Sequence, residues 1–180
     1  MKRQVVFRVD GGSKIGFGHI IRCLSLAEGL RERDIQSIFV TKDIDTEAGK
    51  KIVGNGHLME SLLPDISLEE DLITTADLIK KHQPVLVVTD SYEIDQHYLE
   101  QLKKLNITLM SIDDLAQLHF CSDIVLNQNI GTKASDYSTE RWTKLLLGPK
   151  YALLRKGVRD RDLDRGTKKV AEDILLTLGG

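Results

Sequence analysis

The residues best suited to chemistry stand between the apolar run Val5-Val6-Phe7-Arg8-Val9 and the first helical pattern, in the stretch Asp10-Gly11-Gly12-Ser13-Lys14-Ile15-Gly16-Phe17-Gly18-His19. Glycines between a strand and a helix let backbone approach a ligand, and the free N–H groups at a helix start favour anionic groups. The stretch is not a P-loop, because no Gly-Lys-Ser/Thr follows. It is also a poor dinucleotide fingerprint: Gly16-x-Gly18 is followed by Ile21 where a third small residue is needed, which argues against NAD. A purely structural tight turn is the alternative. His19 falls where the helix begins, and the positive end of the helix dipole disfavours imidazolium there. The neutral imidazole that results is the state a general base requires. A histidine taken alone is more often structural. Arg22, three residues on, shares roughly the same helix face and suits either a phosphate or sugar oxygen or an ordinary surface ion pair.

A second set of candidates is spread along the chain. Asp10, Asp90, the pair Asp113/Asp114, and Asn127 each follow an apolar run of strand length. In an open parallel sheet such positions border the crevice where ligands bind. Each has a plainer reading as a helix cap or turn residue, Asp113/Asp114 above all before the 115–118 turn. Ser91 and Tyr92 beside Asp90, and Gln128 and Asn129 beside Asn127, add hydroxyl and amide groups suited to a polyhydroxylated ligand. His57, His82, His97 and His119 lack mutual ligand spacing, so no metal site is expected. Trp142 and Tyr137 are expected to close the core or a loop.

Positioning these residues requires an alternating array of strands and helices. Strands are expected at 4–10, 37–41, 57–63, 85–89, 107–112 and 124–126, and helices at 19–32, 47–55, 67–82 and 95–105. Ser67-Leu68-Glu69-Glu70 has the capping-box form, and Pro84 should stop the helix it opens. The alternation predicts a parallel sheet covered on both faces, the doubly wound, Rossmann-like α/β class. From 128 to 165 periodicity is weak apart from 144–147, and the charged segment 155–168 reads as a linker. Residues 169–180 then restart the opening theme, an apolar strand followed by Gly179-Gly180. We therefore expect one domain over 1–154 and the first strand of a second, C-terminal domain at 169–180.

Composition sets the outer limits. The 180 residues are 41% hydrophobic and 29% charged with a net charge of -2, an ordinary globular chain with no basic block for nucleic acid. No apolar run approaches the roughly 20 residues of a membrane span, and no export signal follows Met1-Lys2-Arg3, so a cytoplasmic location is expected. Cys23 and Cys121, far apart, read as buried reduced thiols.

Several separated motifs agree with one family. Arg8-x-Asp10, Ile15-Gly16-x-Gly18-His19, Arg22-Cys23-Leu24-x-Leu26-Ala27, Val88-x-Asp90-x-Tyr92-x-Ile94-Asp95, Ile112-Asp113-Asp114-Leu115-Ala116, Asp123-Ile124-x-Leu126-Asn127-Gln128-Asn129 and Leu147-Gly148-Pro149-x-Tyr151 occur in order. In these the chain resembles the UDP-sugar hydrolases of pseudaminic acid biosynthesis and the related spore-coat polysaccharide proteins. The resemblance implies the N-terminal domain of a GT-B-like, two-domain enzyme. It also implies removal of UDP from a UDP-linked 2,4-diacetamido-2,4,6-trideoxy-L-altrose by water, with inversion and without a cofactor. It makes His19 the base and places Asp10, Ser13, Gly16, Gly18, Arg22, Asp90, Tyr92, Asp113, Asn127 and Gln128 around the substrate, with UDP held mainly by the second domain. This chain departs from the family in carrying Gly11-Gly12 where an Ala-Ser pair is expected, and Thr89-Asp90-Ser91-Tyr92 for the commoner Asp-His-Tyr form. A GT-B glycosyltransferase and a noncatalytic nucleotide-sugar-binding component of polysaccharide assembly are the competing readings. Release of free sugar without an acceptor tells against the first, and turnover sensitive to His19→Ala against the second.

Overall fold

The structure is a computed structural model that describes residues 3–11, 16–42, 47–159 and 170. Its centre is a seven-stranded, all-parallel sheet: β1 (Gln4–Val9), β2 (Gln36–Thr41), β3 (Leu58–Ser61), β4 (Leu86–Asp90), β5 (Leu109–Ile112), β7 (Ile124–Asn127) and β9 (Lys144–Leu147), in the order β3-β2-β1-β4-β5-β7-β9. The order runs outward in both directions from the β1/β4 pair, so the switch point of the doubly wound topology lies between these two strands. Their register sets Phe7 against Val88 and Val9 against Asp90.

Strand side chains alternate between faces, and the two cores follow that alternation. Val5, Phe7, Val9, Val88 and Met110 pack with Ile20, Cys23 and Ala27 of α1 (Gly18–Arg31) and Ala48 and Ile52 of α2 (Glu47–Gly54). Val6, Ile38, Val87, Leu109 and Val125 pack with Leu72 and Ile79 of α3 (Leu68–His82) and Tyr98, Leu99 and Leu102 of α4 (Gln96–Lys103). The short apolar strands read as continuous runs because both faces are covered.

The expected elements are present, with ends displaced by one to three residues. The box at Ser67 forms: its hydroxyl accepts from the Glu70 amide, while Glu70 accepts from the Ser67 amide at 3.1 Å. The helix ends at His82, followed by Gln83 in the left-handed region (φ 47°) and then Pro84. The sheet extends further than expected. Lys144–Leu147 pairs in parallel with β7 as an edge strand, and a two-residue pair, β6 (His119–Phe120) with β8 (Ser138–Thr139), lies outside the main sheet. The crossovers 113–123 and 128–143 carry no helix longer than a single 3₁₀ turn, which is why periodicity fails there. The expected linker begins with a helical turn, α5 (Lys156–Arg159), while the strand and glycines expected at 169–180 lie outside the described residues except for Val170. Cys23 and Cys121 are both buried and free. Tyr137 packs against Phe120, but Trp142 is 63% exposed and does not close the core. Among the described residues no helix is long and apolar enough to cross a membrane.

Candidate active site

The route from β1 into α1 depends on two glycines. Gly16 has φ 84°, open to glycine at no steric cost. Gly11 is buried where a β-carbon would stand 2.8 Å from Cδ1 of Ile20. Phe17 caps α1 without a side-chain hydrogen bond, so the first amides of the helix have no side-chain partner among the described residues. Ser13 lies outside the described residues.

His19, in the first turn of α1, sits over the carboxyl end of β4. Its Nδ1 is 2.5 Å from Oδ1 of Asp90. Register explains the meeting: Asp90 is opposite Val9 and shares its face of the sheet, the face α1 covers. Arg22, one turn on, donates from Nε to Asp90 Oδ2 at 2.7 Å and from Nη2 to Oδ1 at 2.5 Å. Its Nη1 donates to both oxygens of Asp114, at 2.9 and 2.7 Å. The Cys23 thiol also donates to Asp90, at 3.4 Å. Burial would raise the Asp90 carboxyl, but the hydrogen bonds and charges of Arg22 and His19 outweigh it and hold the group below the usual carboxylate range. Arg22 is likewise held above its ordinary value: burial opposes the charge, and Asp90 and Asp114 more than restore it. Burial pushes the Cys23 thiol well up, so it serves as a protonated donor and not as a nucleophile.

These contacts decide the histidine tautomer. Nδ1 lies within reach of both Asp90 Oδ1 and, at 3.1 Å, Arg22 Nη2, and it cannot donate to one while accepting from the other. The charge-assisted bond to a carboxylate only 1% exposed is the stronger, so Nδ1 carries the hydrogen. In the neutral ring Nε2 is then the nitrogen with the lone pair, and it has no hydrogen-bond partner among the described residues. Tyr92 stands edge-on to the imidazole, ring centres 4.6 Å apart, and its hydroxyl donates to Asp114 at 3.2 Å.

The other expected site residues fall into different groups. Asp10 belongs to the opposite face, where it accepts from Arg8 at 2.6 Å and from Ser91 at 2.8 Å. Asp113 holds the turn after β5, accepting from the amides of Leu115 and Ala116 and from the Tyr137 hydroxyl at 2.7 Å. Asn127 donates to the same hydroxyl at 2.9 Å, and Gln128 accepts from the Leu153 amide. Gly18 is exposed at the first position of α1. The structure thus gathers His19, Arg22, Asp90 and Tyr92 into one cluster. It adds Asp114, visible in the sequence only as the neighbour of Asp113, and Tyr137, which joins Asp113 to Asn127. Of the remaining histidines, His82 meets Glu60 at 3.0 Å, and His119 meets Ser138 and Glu140.

The all-parallel order about the β1/β4 switch point defines the class, a Rossmann-like α/β domain with the His19–Asp90 pair at that point. MurG of Acinetobacter baumannii, a GT-B protein, superposes on 76% of this chain and 44% of its own with a TM-score of 0.58 at 10% identity, a likeness of fold. No protein-family model matches the chain. Among curated proteins, it is 30% identical over 98% of its length to the UDP-2,4-diacetamido-2,4,6-trideoxy-beta-L-altropyranose hydrolase of Campylobacter jejuni, covering 60% of that protein. It is 25% identical over 95% of its length to the spore coat polysaccharide biosynthesis protein SpsG of Bacillus subtilis, covering 49% of it. An uncharacterized Methanocaldococcus jannaschii protein, MJ1062, is 28% identical over 98% of the chain, which covers 37% of it. The resemblance seen in the separated motifs therefore extends along nearly the whole sequence, which is similar to the UDP-sugar hydrolase and to SpsG. It spans about 40 to 60% of the length of the curated relatives it matches.

Proposed function

We propose that this chain supplies the base-bearing domain of an inverting nucleotide-sugar hydrolase that releases UDP from a UDP-2,4-diacetamido-2,4,6-trideoxy-L-altrose type of sugar. The observation that carries this reading is the His19–Asp90 pair, 2.5 Å apart and fixed by Arg22 at the carboxyl edge of the sheet. Likeness to a hydrolase of that substrate along 98% of the chain supports it.

In the proposed reaction, Nε2 of His19 takes a proton from water as the water oxygen bonds to the anomeric carbon. The bond from that carbon to the UDP oxygen breaks on the opposite side. One displacement inverts the centre, the electron pair leaves with UDP, and the proton remains on the imidazole. Asp90, ionised throughout, stabilises the imidazolium that forms. A nucleoside diphosphate is a stable anion, so the leaving group needs no acid. The α1 amides are placed to meet substrate oxygens. A second domain, following the segment that begins near residue 155, would hold the UDP.

The test is UDP release from that substrate by the protein carrying both domains, followed by chromatography with NMR of the freed sugar. Removing a general base costs on the order of 10²–10⁴-fold in rate, so His19→Ala should lower kcat by that much while UDP still binds and the fold persists. Unchanged turnover in the variant overturns the assignment of the base. UDP release that depends on an acceptor hydroxyl overturns hydrolysis in favour of transfer.

A further inference from the structure

A cavity separate from the His19 cluster opens between α1, α2 and the segment leading into α5, with a volume of about 340 Å³. We propose that it is a phosphoryl-anion site that takes the phosphate or diphosphate group of a small molecule, with Arg31, Lys51, Arg155 and Lys156 at its rim and His57 at its floor. Among the described residues four cations line it against one carboxylate, Glu28. That imbalance suits a divalent anion better than a single carboxylate.

The donors are largely unspent. Arg155 has no partner among the described residues. Arg31 commits one N–H to the Asn55 carbonyl at 3.2 Å, which leaves most of its fork. Gly56, at φ 79°, puts no side chain between that guanidinium and the turn: a β-carbon there would stand 3.9 Å from Arg31 Nη1. Lys51 is 3.7 Å from Glu47, and Lys156 is 3.3 Å from Glu32, both exposed pairs of small net worth that an anion can replace.

His57 is the second, independent observation. It is 5% exposed, its ring lies 5.5 Å from that of Phe39, and neither ring nitrogen has a hydrogen-bond partner among the described residues. Its ring nitrogens are not sealed from solvent, so a ligand or water in the cavity can reach them. Ile21 and Leu24 form an apolar wall beside the cations, and the volume falls within the range of small-molecule sites, so there is room for an organic portion.

Charge linkage gives the site a signature. Burial first, and the nearby Arg31 charge second, push the His57 imidazole below its ordinary value, with Glu28 opposing. The other charged groups facing it are Lys51 from α2 and Arg155 and Lys156 from the segment before and within α5. A dianion among these cations favours the imidazolium, so binding of the dianion takes up a proton at His57.

The experiment is titration of the protein with inorganic phosphate, pyrophosphate and UDP at constant ionic strength. The His57 ring resonances are followed by NMR, and heat is measured in parallel. A saturable His57 shift is expected with the phosphoryl anions and not with chloride. Arg31→Gln combined with Lys51→Gln removes two charge-assisted contacts, so the affinity should weaken by roughly tenfold or more with the circular dichroism unchanged. His19→Ala should leave this binding intact, which separates it from the proposed hydrolysis. UDP binding tighter than pyrophosphate identifies an organic phosphate as the occupant, and equal binding identifies the inorganic anion. No saturable shift at millimolar concentration, an equal response to chloride, or an affinity unchanged in the double variant overturns the site.

Discussion

Arg8 and Arg22 each hold two carboxylates beneath the sheet, on opposite faces of it, only a few residues from the same switch point. Arg8 donates to Asp71 at 2.9 and 2.5 Å and to Asp10 at 2.6 Å, and Asp71 also accepts from the Tyr98 hydroxyl at 2.8 Å. Arg22 does the same with Asp90 and Asp114. The first network is more deeply buried: the side chains of Arg8 and Asp71 are 0% exposed, and it contains no histidine. The second leaves Asp114 at 18% and Tyr92 at 56%, and it contains a histidine with one ring nitrogen unengaged. Similar ionic parts therefore serve two ends. On the α3 face they lock β1 to α3, and on the α1 face they orient a base at the open edge.

Two substitutions separate those roles. Asp90→Asn preserves shape but presents an amide to Nδ1. An amide N–H facing Nδ1 moves the ring hydrogen to Nε2, where no proton can be accepted. A loss on the order of 10²–10⁴-fold in kcat for UDP release is expected, with a loss of stability smaller than that of the Arg8 variant because Arg22 keeps Asp114. Arg8→Met should do the reverse. It leaves Asp10 buried without its cation and Asp71 with only Lys42, 3.5 Å away, which costs up to about 3–5 kcal/mol in urea unfolding, while the folded fraction keeps its turnover per molecule. Equal effects of the two variants on both quantities would erase the distinction drawn between the networks.

Acid should expose the same pair. Burial raises Asp71 and Asp90, but Arg8 in one case and Arg22 in the other outweigh it, so both carboxyls lie below their ordinary values in the folded state. A depressed folded value means stability fully present above the unfolded carboxylate range near pH 4 and lost as pH falls through the folded value. Unfolding measured from pH 7 to 2 should therefore be insensitive to these groups down to about pH 5 and should then steepen. In Arg8→Met the acid limb should be shallower, because Asp71 loses the strongest group that lowers it and keeps only the Tyr98 hydroxyl and Lys42. A limb of unchanged slope would mean that Asp71 contributes nothing there.

How much of this was readable in advance follows from what is local. Alternating periods of two kinds separate strand from helix over short windows, and Ser67 with Glu70 declares its own helix start, so the doubly wound fold was legible. The aspartates at the strand ends were legible one by one. Which of them meet was not, because the β1/β4 register is a property of two strands eighty residues apart. One residue of slip would exchange the faces of Asp10 and Asp90. Asp71 shows the same limit. In the first turn of α3 it reads as an ordinary acidic residue favoured by the helix dipole, yet it closes a buried bond to a residue 63 positions away. Lys144–Leu147 stood out in an aperiodic stretch, but its place as an edge strand depends on β7, not on its own sequence.

The smallest effect tests how closely α1 is seated against β1, on which the position of His19 depends. A methyl group at Gly11 would stand 2.8 Å from both Cγ1 and Cδ1 of Ile20 and 3.3 Å from the Gly16 carbonyl. Ile20 is 1% exposed in the core beneath α1, so it can yield only by pressing on its neighbours. Overpacking of this kind costs about 1–3 kcal/mol, and Gly11→Ala should lower the unfolding midpoint accordingly. Because Ile20 adjoins His19 on the first turn, turnover should fall with it. Gly18→Ala is the matched control. Among the described residues nothing lies within 4 Å of a β-carbon there, and alanine favours a helix over glycine by up to about 1 kcal/mol, so stability should hold or rise. If Gly11→Ala were as harmless as Gly18→Ala, the contact between the strand-end turn and α1 would not be what seats the histidine, and Asp90 with Arg22 would hold it unaided.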